Sequence, residues 1–429
     1  MKTKKYLLSA VALCAGLTPI IADTVEERLS KQEKEITEIR KQLNASKGSS
    51  TGLGFPSWFS LNGEWEWEYV DAEVDVNDSS ADPTQHFQHD KFVLKPKITL
   101  SENLYMKGEI EFGSSHSKLE EYHAHFTGLP MNSWIKLGLD ERFSKADKSF
   151  DMADRKTENY PLIGSAFWRD EQHALTWGGK TKASDDLSVF WRLQVSKGLE
   201  LNDKDIGEVN NPTSQEMTHD DDNARDTGRS KTTYGYGLGF SFAPTESYKF
   251  DVAAWYFDSE LNDDEKSYVT GITNYSLKDS NPDIQNVSDT QTRFGVRTTH
   301  KFNGTTLTYE YAEAEDGKFK RDGYYIQGSH AFKFNPLIGG EFVKSIEPLV
   351  RIEEYDTNLQ ASFADGDTWD RDRQVYALLV GIVSNDKLKA TLKLEYVMNE
   401  ERTGAVSGVT TQSNDPDNDE FLAQFEFKF

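Results

Sequence analysis

The chain is almost without cysteine: one among 429 residues, Cys14, inside an apolar run near the start. If that run is removed as a leader, no cysteine is left. Disulfides, thiol catalysis, Cys-ligated zinc, iron–sulfur clusters and covalently attached c-type haem are then excluded. Positive charge is also scarce. Lys+Arg number 48 against 72 Asp+Glu, a net charge of −24, which disfavours a nucleic-acid partner because phosphate backbones are held by cations. After residue 22 no apolar run approaches the roughly 20 residues that a membrane-spanning helix needs. The hydrophobic total is only 36%, yet aromatics reach 12%, with 25 Phe, 18 Tyr and 9 Trp. Disordered chains are poor in aromatics, so disorder of the whole chain is excluded. Much of this aromatic surface must face something other than an ordinary interior.

Lys2, Lys4 and Lys5 precede the apolar stretch Tyr6 to Ala22, with Pro19 near its end and Ile20 and Ala22 at the −3 and −1 positions. Residues 1–22 read as a Sec signal peptide of a Gram-negative type of cell. Leu13 before Cys14 is not the small residue that a lipoprotein site requires. Over residues 23–46 Val25, Leu29, Ile36, Ile39 and Leu43 repeat at heptad spacing, with Gln32 as the polar seam position. Glu26, Arg28, Glu33, Glu35 and Arg40 flank that seam, which predicts a short self-associating coiled coil supported by a further interface. A Gly/Ser-rich linker follows over residues 47–55.

From residue 56 to residue 429 the period is two. Phe421, Ala423, Phe425, Phe427 and Phe429 alternate with Leu422, Gln424, Glu426 and Lys428. Sixteen such segments are expected, near 57–70, 89–100, 104–113, 119–128, 132–140, 169–179, 186–197, 232–242, 247–259, 290–301, 304–314, 322–334, 346–357, 372–384, 387–400 and 418–429. Their connections alternate between short and long, with 114–118 and 315–321 as brief exceptions. A soluble sandwich gives no reason for that alternation; a transmembrane barrel does, with short periplasmic turns and long outer loops. An even strand count puts both chain ends on the short-turn side, beside a periplasmic coiled coil. The predicted fold is all-β, a 16-stranded antiparallel transmembrane β-barrel in the outer membrane, with a short N-terminal periplasmic coiled-coil helix. Aromatics then face lipid and its interfaces, and polar residues face the lumen.

The terminal Phe421, Phe425, Phe427 and Phe429 resemble the recognition strand that the barrel-insertion machinery reads. The whole layout of leader, coiled coil, linker and sixteen strands resembles the phosphate-selective porin family, pyrophosphate and polyphosphate forms included. In that family a strand like Trp134-Ile135-Lys136-Leu137-Gly138 leads into a long third loop that folds into the lumen, and a strand like Arg169 to Gly179 follows. The family's Pro-Phe pair after the glycine is Arg142-Phe143 here, a departure. The resemblance implies a homotrimer, a bilayer and lipopolysaccharide environment, and a constriction loop carrying Arg142, Lys145, Lys148 and Arg155. Counting Lys156, these bases are balanced by Glu141, Asp147, Asp151, Asp154 and Glu158.

Parity places Lys91, Lys95, Lys97, Lys136, Arg293, Arg297, Lys387, Lys389 and Lys393 on lumen faces, where rows of cations can pass an anion from site to site. Acids of the same faces make the wall nearly neutral, so each wall cation can equally be paired across strands. The surplus acid must lie in loops such as Asp220-Asp221-Asp222, which favours cations at the mouth. Three readings follow. One is a passive channel for small hydrophilic solutes with an anion or phosphate preference; another is a general or cation-preferring porin. The third is a plugged barrel acting as enzyme or adhesin.

No G-x-S-x-G nucleophile signature is present, and no enzymatic activity is expected. His123 and His125 share a face without a third ligand, and Asp365, Asp367, Asp370 and Asp372 lack the complete calcium-loop pattern. No cofactor or metal is expected. The permeant solute, and whether a haem-carrying partner occupies the lumen, are not encoded in any motif.

Overall fold

The computed structural model describes residues 56–72, 84–113, 117–141, 143, 156–167, 171–199, 231–263, 265–266, 288–338, 342–358, 371–382, 389–401 and 419–429. The expected leader, coiled coil and linker lie outside the described residues, as do Arg142, Lys145, Lys148, Arg155 and Lys387. The chain divides into two compact units, Met1–Ser60 and Leu61–Phe429.

The strands are β1 (Phe59–Ala72), β2 (Thr84–Ser101), β3 (Leu104–Gly113), β4 (Ser117–Leu129), β5 (Ser133–Glu141), β6 (Glu171–Lys182), β7 (Leu187–Lys197), β8 (Thr232–Thr245) and β9 (Tyr248–Glu260). They continue as β10 (Thr290–Phe302), β11 (Thr305–Asp316), β12 (Phe319–His330), β13 (Phe332–Ile338), β14 (Val343–Thr357), β15 (Arg371–Ile382), β16 (Lys389–Glu401) and β17 (Glu420–Lys428). One short helix, α1 (Leu162–Phe167), stands between β5 and β6.

Successive strands pair, and the sheet closes because β1 pairs with both β2 and β17. β12 and β13 both pair with β14 and are separated by Ala331 alone, so they form one interrupted stave. The seventeen strand segments therefore make a closed antiparallel barrel of sixteen staves. At the seam Gly63 and Phe429 exchange both backbone hydrogen bonds, at 2.8 and 3.0 Å. The Phe429 ring lies where a Cβ on Gly63 would stand.

Burial is inverted relative to a soluble protein. Arg297, Arg321, Arg351 and Glu310 are buried, whereas Trp67, Tyr236, Leu238, Phe302 and Ile352 are exposed. Strand alternation explains this: charged and small residues point inward and large apolar ones outward, the arrangement of a wall in lipid. β8 is the plainest case. Gly235, Gly237 and Gly239 face in, while Tyr234, Tyr236, Leu238 and Phe240 face out.

The outer jacket is asymmetric along the strands. Towards the long connections it carries Tyr234, Tyr236, Tyr256, Tyr376 and Tyr396 together with Phe87, Phe112 and Phe421; towards the short turns it carries Phe126, Phe240, Phe302 and Phe332. The tyrosine hydroxyls find polar partners at the rim, Tyr311 donating to Glu313 at 3.1 Å and Tyr396 to Asp419 at 2.8 Å. Carboxylates continue that rim outward on adjacent staves, with Glu313 opposite Asp322 and Glu354 opposite Asp372.

Turn chemistry sets the ends of the staves. Asn303 and Gly304 join β10 to β11 with φ of 47° and 84°, the left-handed pair of a two-residue hairpin. Outside, Asp316 to Phe319 makes a short turn through Gly317 (φ 64°), whose N–H donates to Thr290 O at 2.7 Å. Beyond β9, Asn262 and Glu265 cap one another, each backbone N–H donating to the other's side chain at 2.7 and 2.9 Å. Lys266 pairs there with Asp289 at 2.6 Å, and that hydrogen bond raises the ammonium pKa above its ordinary value.

Candidate functional site

The connection from β5 to β6 enters the lumen, and its two described arms rest on different walls. The outgoing arm is held by Phe143, which packs on Phe257 (ring centroids 4.7 Å) and lies over Gly235, where a Cβ would collide with both rings. Phe190, Leu199, Ala253 and Trp255 complete this apolar cluster against β7 and β9. On the returning arm, α1 buries Leu162, Ile163 and Phe167 against Ala312, Ala314, Tyr325 and Tyr355 of β11, β12 and β14. Gly323 permits this approach, since a Cβ there would meet Ile163 and the β14 backbone.

Between Lys156 and Leu162 the returning arm is gripped by wall charges. Arg351 donates to Thr157 Oγ1 at 2.5 Å and to Asn159 O at 3.0 Å, and Arg373 donates to Tyr160 O at 3.2 Å. Glu353 accepts from the Leu162 N–H at 2.5 Å, and Glu395 accepts from the N–H groups of Glu158 and Asn159. Lys156 reaches Ser329 at 3.0 Å and pairs with Glu347. Charged groups thus satisfy the backbone of an irregular segment inside a barrel, where unsatisfied polar groups are costly.

The wall cations are largely paired. A chain of alternating charge runs from the loop across six staves: Glu158, Lys393, Glu426, Lys428, Glu64, Lys95, Glu109, Lys107 and Glu121. Its separations include 3.5 Å for Lys393–Glu158, 3.2 Å for Lys428–Glu64 and 2.9 Å for Lys95–Glu109. Lys91 joins it through Glu66 at 3.2 Å. On the opposite side Arg297 and Glu310 form a two-point pair at 2.6 and 2.8 Å, with both side chains fully buried. Arg293 and Arg321 share Asp316 at 2.9 and 2.7 Å.

Of the lumen cations expected from parity, Lys91, Lys95, Arg293, Arg297 and Lys393 therefore meet carboxylates. Lys97 lies over the Tyr105 ring at 4.0 Å, and Lys136 lies 5.8 Å from that of Trp134. Lys389 is exposed at the start of β16. Water reaches one wall and not the other. Lys95, Lys107 and Lys428 side chains are 30%, 34% and 51% exposed, against 0–1% for Arg297, Arg321 and Arg351.

Near the short turns three lysine pairs face each other in register: Lys97 with Lys107, Lys249 with Lys301, and Lys389 with Lys428. Directly opposed like charges destabilise a sheet, and carboxylates offset part of that cost: Lys107 meets Glu109 and Glu121, Lys249 meets Asp251 at 2.8 Å, and Lys428 meets Glu64 and Glu426. His123 and His125 line the neighbouring wall, with Tyr105 hydroxyl 2.5 Å from His125 Nδ1. Among the described residues these histidines belong to no cluster with metal-ligand spacing. The clusters with such spacing, Glu64–Glu66–Glu426 and Glu66–Asp90–Glu158, are acidic groups within the charge network.

Among solved structures, the chain superposes on OprB of Pseudomonas putida, in its high-pH structure, with a TM-score of 0.52 over 86% of this chain and 93% of that one, at 11% identity. The fold is that of the outer-membrane porins. An anion-selective porin from Comamonas acidovorans aligns over 86% of this chain and 98% of its own at TM-score 0.49 and 10% identity. The outer membrane channel DcaP of Acinetobacter baumannii aligns over 86% and 97% at TM-score 0.49 and 10% identity. No protein-family model matches the sequence, and no curated protein matches it.

Several residues of this porin-type lumen were not read from the sequence. Arg321 and Arg371 are the residues immediately before the segments expected at 322–334 and 372–384, and strand ends are where periodicity fades. Trp255, Phe257, Tyr325 and Tyr355 face inward, although aromatics were assigned to lipid. The run Ala253-Ala254-Trp255-Tyr256-Phe257 is apolar at every position, so alternation cannot separate its faces. A glycine row opposite it, Gly235 and Gly239, was the available signal, since each accepts an inward ring.

Proposed function

We propose that the protein is a passive outer-membrane channel for small hydrophilic solutes, with a modest preference for anions, phosphate-like ones included. The observation that carries the channel reading is the closed barrel in which the described arms of the third loop rest on the lumen wall while water still reaches the lysine–glutamate wall. The similarity to solved outer-membrane barrels supports the architecture. The sign of the preference is supported by the lysine collar at the turn end of the lumen. Lys97, Lys136 and Lys389 belong to that level, whereas Lys91, Lys95, Lys393, Arg293 and Arg297 serve mainly as partners of carboxylates. The third loop, with Arg142, Lys145, Lys148 and Arg155, is the constriction in this reading.

A homotrimer in a lipopolysaccharide-containing bilayer fits the apolar jacket. Insertion guided by Phe421, Phe425, Phe427 and Phe429 fits their outward alternation along β17. The test is single-channel recording in planar bilayers. Open-channel steps are expected, with a reversal potential in a KCl gradient of anion sign. Replacing Lys97, Lys107, Lys249, Lys301, Lys389 and Lys428 by Gln should move that potential towards the cation side. Absence of any conductance from correctly folded protein would refute the channel; a cation-sign potential in the unmodified protein would refute the preference alone.

A further inference from the structure

We infer that Lys393 is a positioning residue that latches the third loop's returning arm to the barrel seam, and through that latch sets the channel's cross-section and charge. Lys393 lies on β16 with its side chain only 8% exposed, between two acids from different elements. Glu158 of the loop is 3.5 Å away and Glu426 of β17 is 3.1 Å away. It also donates to Gln424 Oε1 at 2.7 Å, and Gln424 in turn donates to Glu66 at 3.2 Å.

Lys393 is the cation set between the loop's acid and that of β17, while Lys91 meets Glu66 at 3.2 Å. Carboxylate oxygens of Glu66, Asp90 and Glu158 lie within 4.8 Å of one another, as do those of Glu64, Glu66 and Glu426. Loss of Lys393 would weaken the hold of Glu158 on the wall, because the nearby carboxylates of Glu66 and Asp90 repel it. Lys393 turns a repulsive meeting of acids into an attractive one. Arg351, Glu353 and Glu395 bind backbone groups of the arm and fix its path. Lys393 acts on the side-chain charge and ties it to β17, hence to Glu64 of β1 through Lys428. Loop position and seam closure therefore share one network.

The inference rests on the channel reading for its functional half, so the test has two readouts. Thr157, on the arm itself and 1% exposed, is replaced by Cys, and the thiol is labelled with a maleimide in the folded, membrane-inserted protein. Labelling of so buried a site reports local opening of the arm. Lys393→Gln should raise the labelling rate by about tenfold or more. The same substitution should shift the reversal potential towards cations, because Glu158 and Glu426 lose their counter-ion. Lys393→Arg should restore both.

Glu158→Gln leaves Lys393, Glu426 and Gln424 together and removes the tie along with the weaker repulsion from Glu66 and Asp90, so it should raise labelling by a smaller factor in a barrel that still inserts. A wild-type labelling rate in Glu158→Gln overturns the latch, even if Lys393→Gln proves unable to fold. Wild-type labelling and reversal potential in Lys393→Gln overturn it as well. If the unmodified protein conducts nothing while the labelling contrast holds, the channel reading fails and the latch stands.

Discussion

Removing the charge of Glu310 while keeping its shape strands Arg297 in a dry part of the lumen wall, beneath Trp255, whose ring lies 5.0 Å from the guanidinium. Breaking one side of a buried ion pair costs about 3–5 kcal/mol, whereas replacing both partners by apolar residues of similar volume is far cheaper. Glu310→Gln should therefore lower the temperature at which the barrel unfolds in detergent, read by heat-modified gel mobility, and the Arg297→Met/Glu310→Met pair should recover most of the loss. Equal destabilisation by the single and paired changes would show that the pair is not acting as a unit. Gly295 belongs to the same assembly. It lies opposite Trp255 in register, and a Cβ there would collide with the indole. Gly295→Val should push Trp255 off Arg297 and destabilise the same part of the barrel.

For the elements, turn chemistry governs register. Gly304 sits at φ 84°, where a β-branched residue is strained, and a Cβ would press on Ala331 O at 3.0 Å. Gly304→Val should slow folding into detergent micelles and lower the folded yield, and Gly304→Asn should be better tolerated because asparagine accepts left-handed geometry. All sixteen staves were legible in the sequence, because each alternates between a lipid face and a water face over ten or so residues. The paired state of the wall was legible only as one of two alternatives, since parity gives the face of Lys95 or Arg293 but not the register that sets its partner. Phe143 as the outgoing anchor was not legible: one aromatic after Arg142 carries no sign that Gly235 and Phe257 wait on the opposite wall.

Over the whole molecule, the lumen has a wet charged wall on β17 to β4 and a dry one around Arg297, Arg321 and Arg351. Screening separates their contributions. The Debye length falls from about 10 Å at 0.1 M salt to about 3 Å at 1 M, which weakens the field of the exposed lysines but not pairs sealed from water. Ion selectivity measured as reversal potential per fixed activity ratio should thus shrink steeply between those salt concentrations, while the unfolding temperature changes little. Undiminished selectivity at 1 M would place the selecting charges at a dry constriction instead.

The two-toned jacket also gives the barrel a top and a bottom. Exposed tyrosines and carboxylates such as Glu313 and Asp322 gather at one bilayer surface, so the two orientations in a membrane are not energetically equivalent. Entering with the long connections leading drags Asp258, Glu313, Asp322 and Glu354 through hydrocarbon, each costing less than the roughly 2–4 kcal/mol of an Arg or Lys at mid-depth. Entering with the short turns leading would leave those carboxylates and the long loops on the near face, which is the inverted orientation. Crossing is therefore a single, expensive, one-way event, and the same carboxylates that make it costly hold the finished barrel at a fixed height and prevent its overturning.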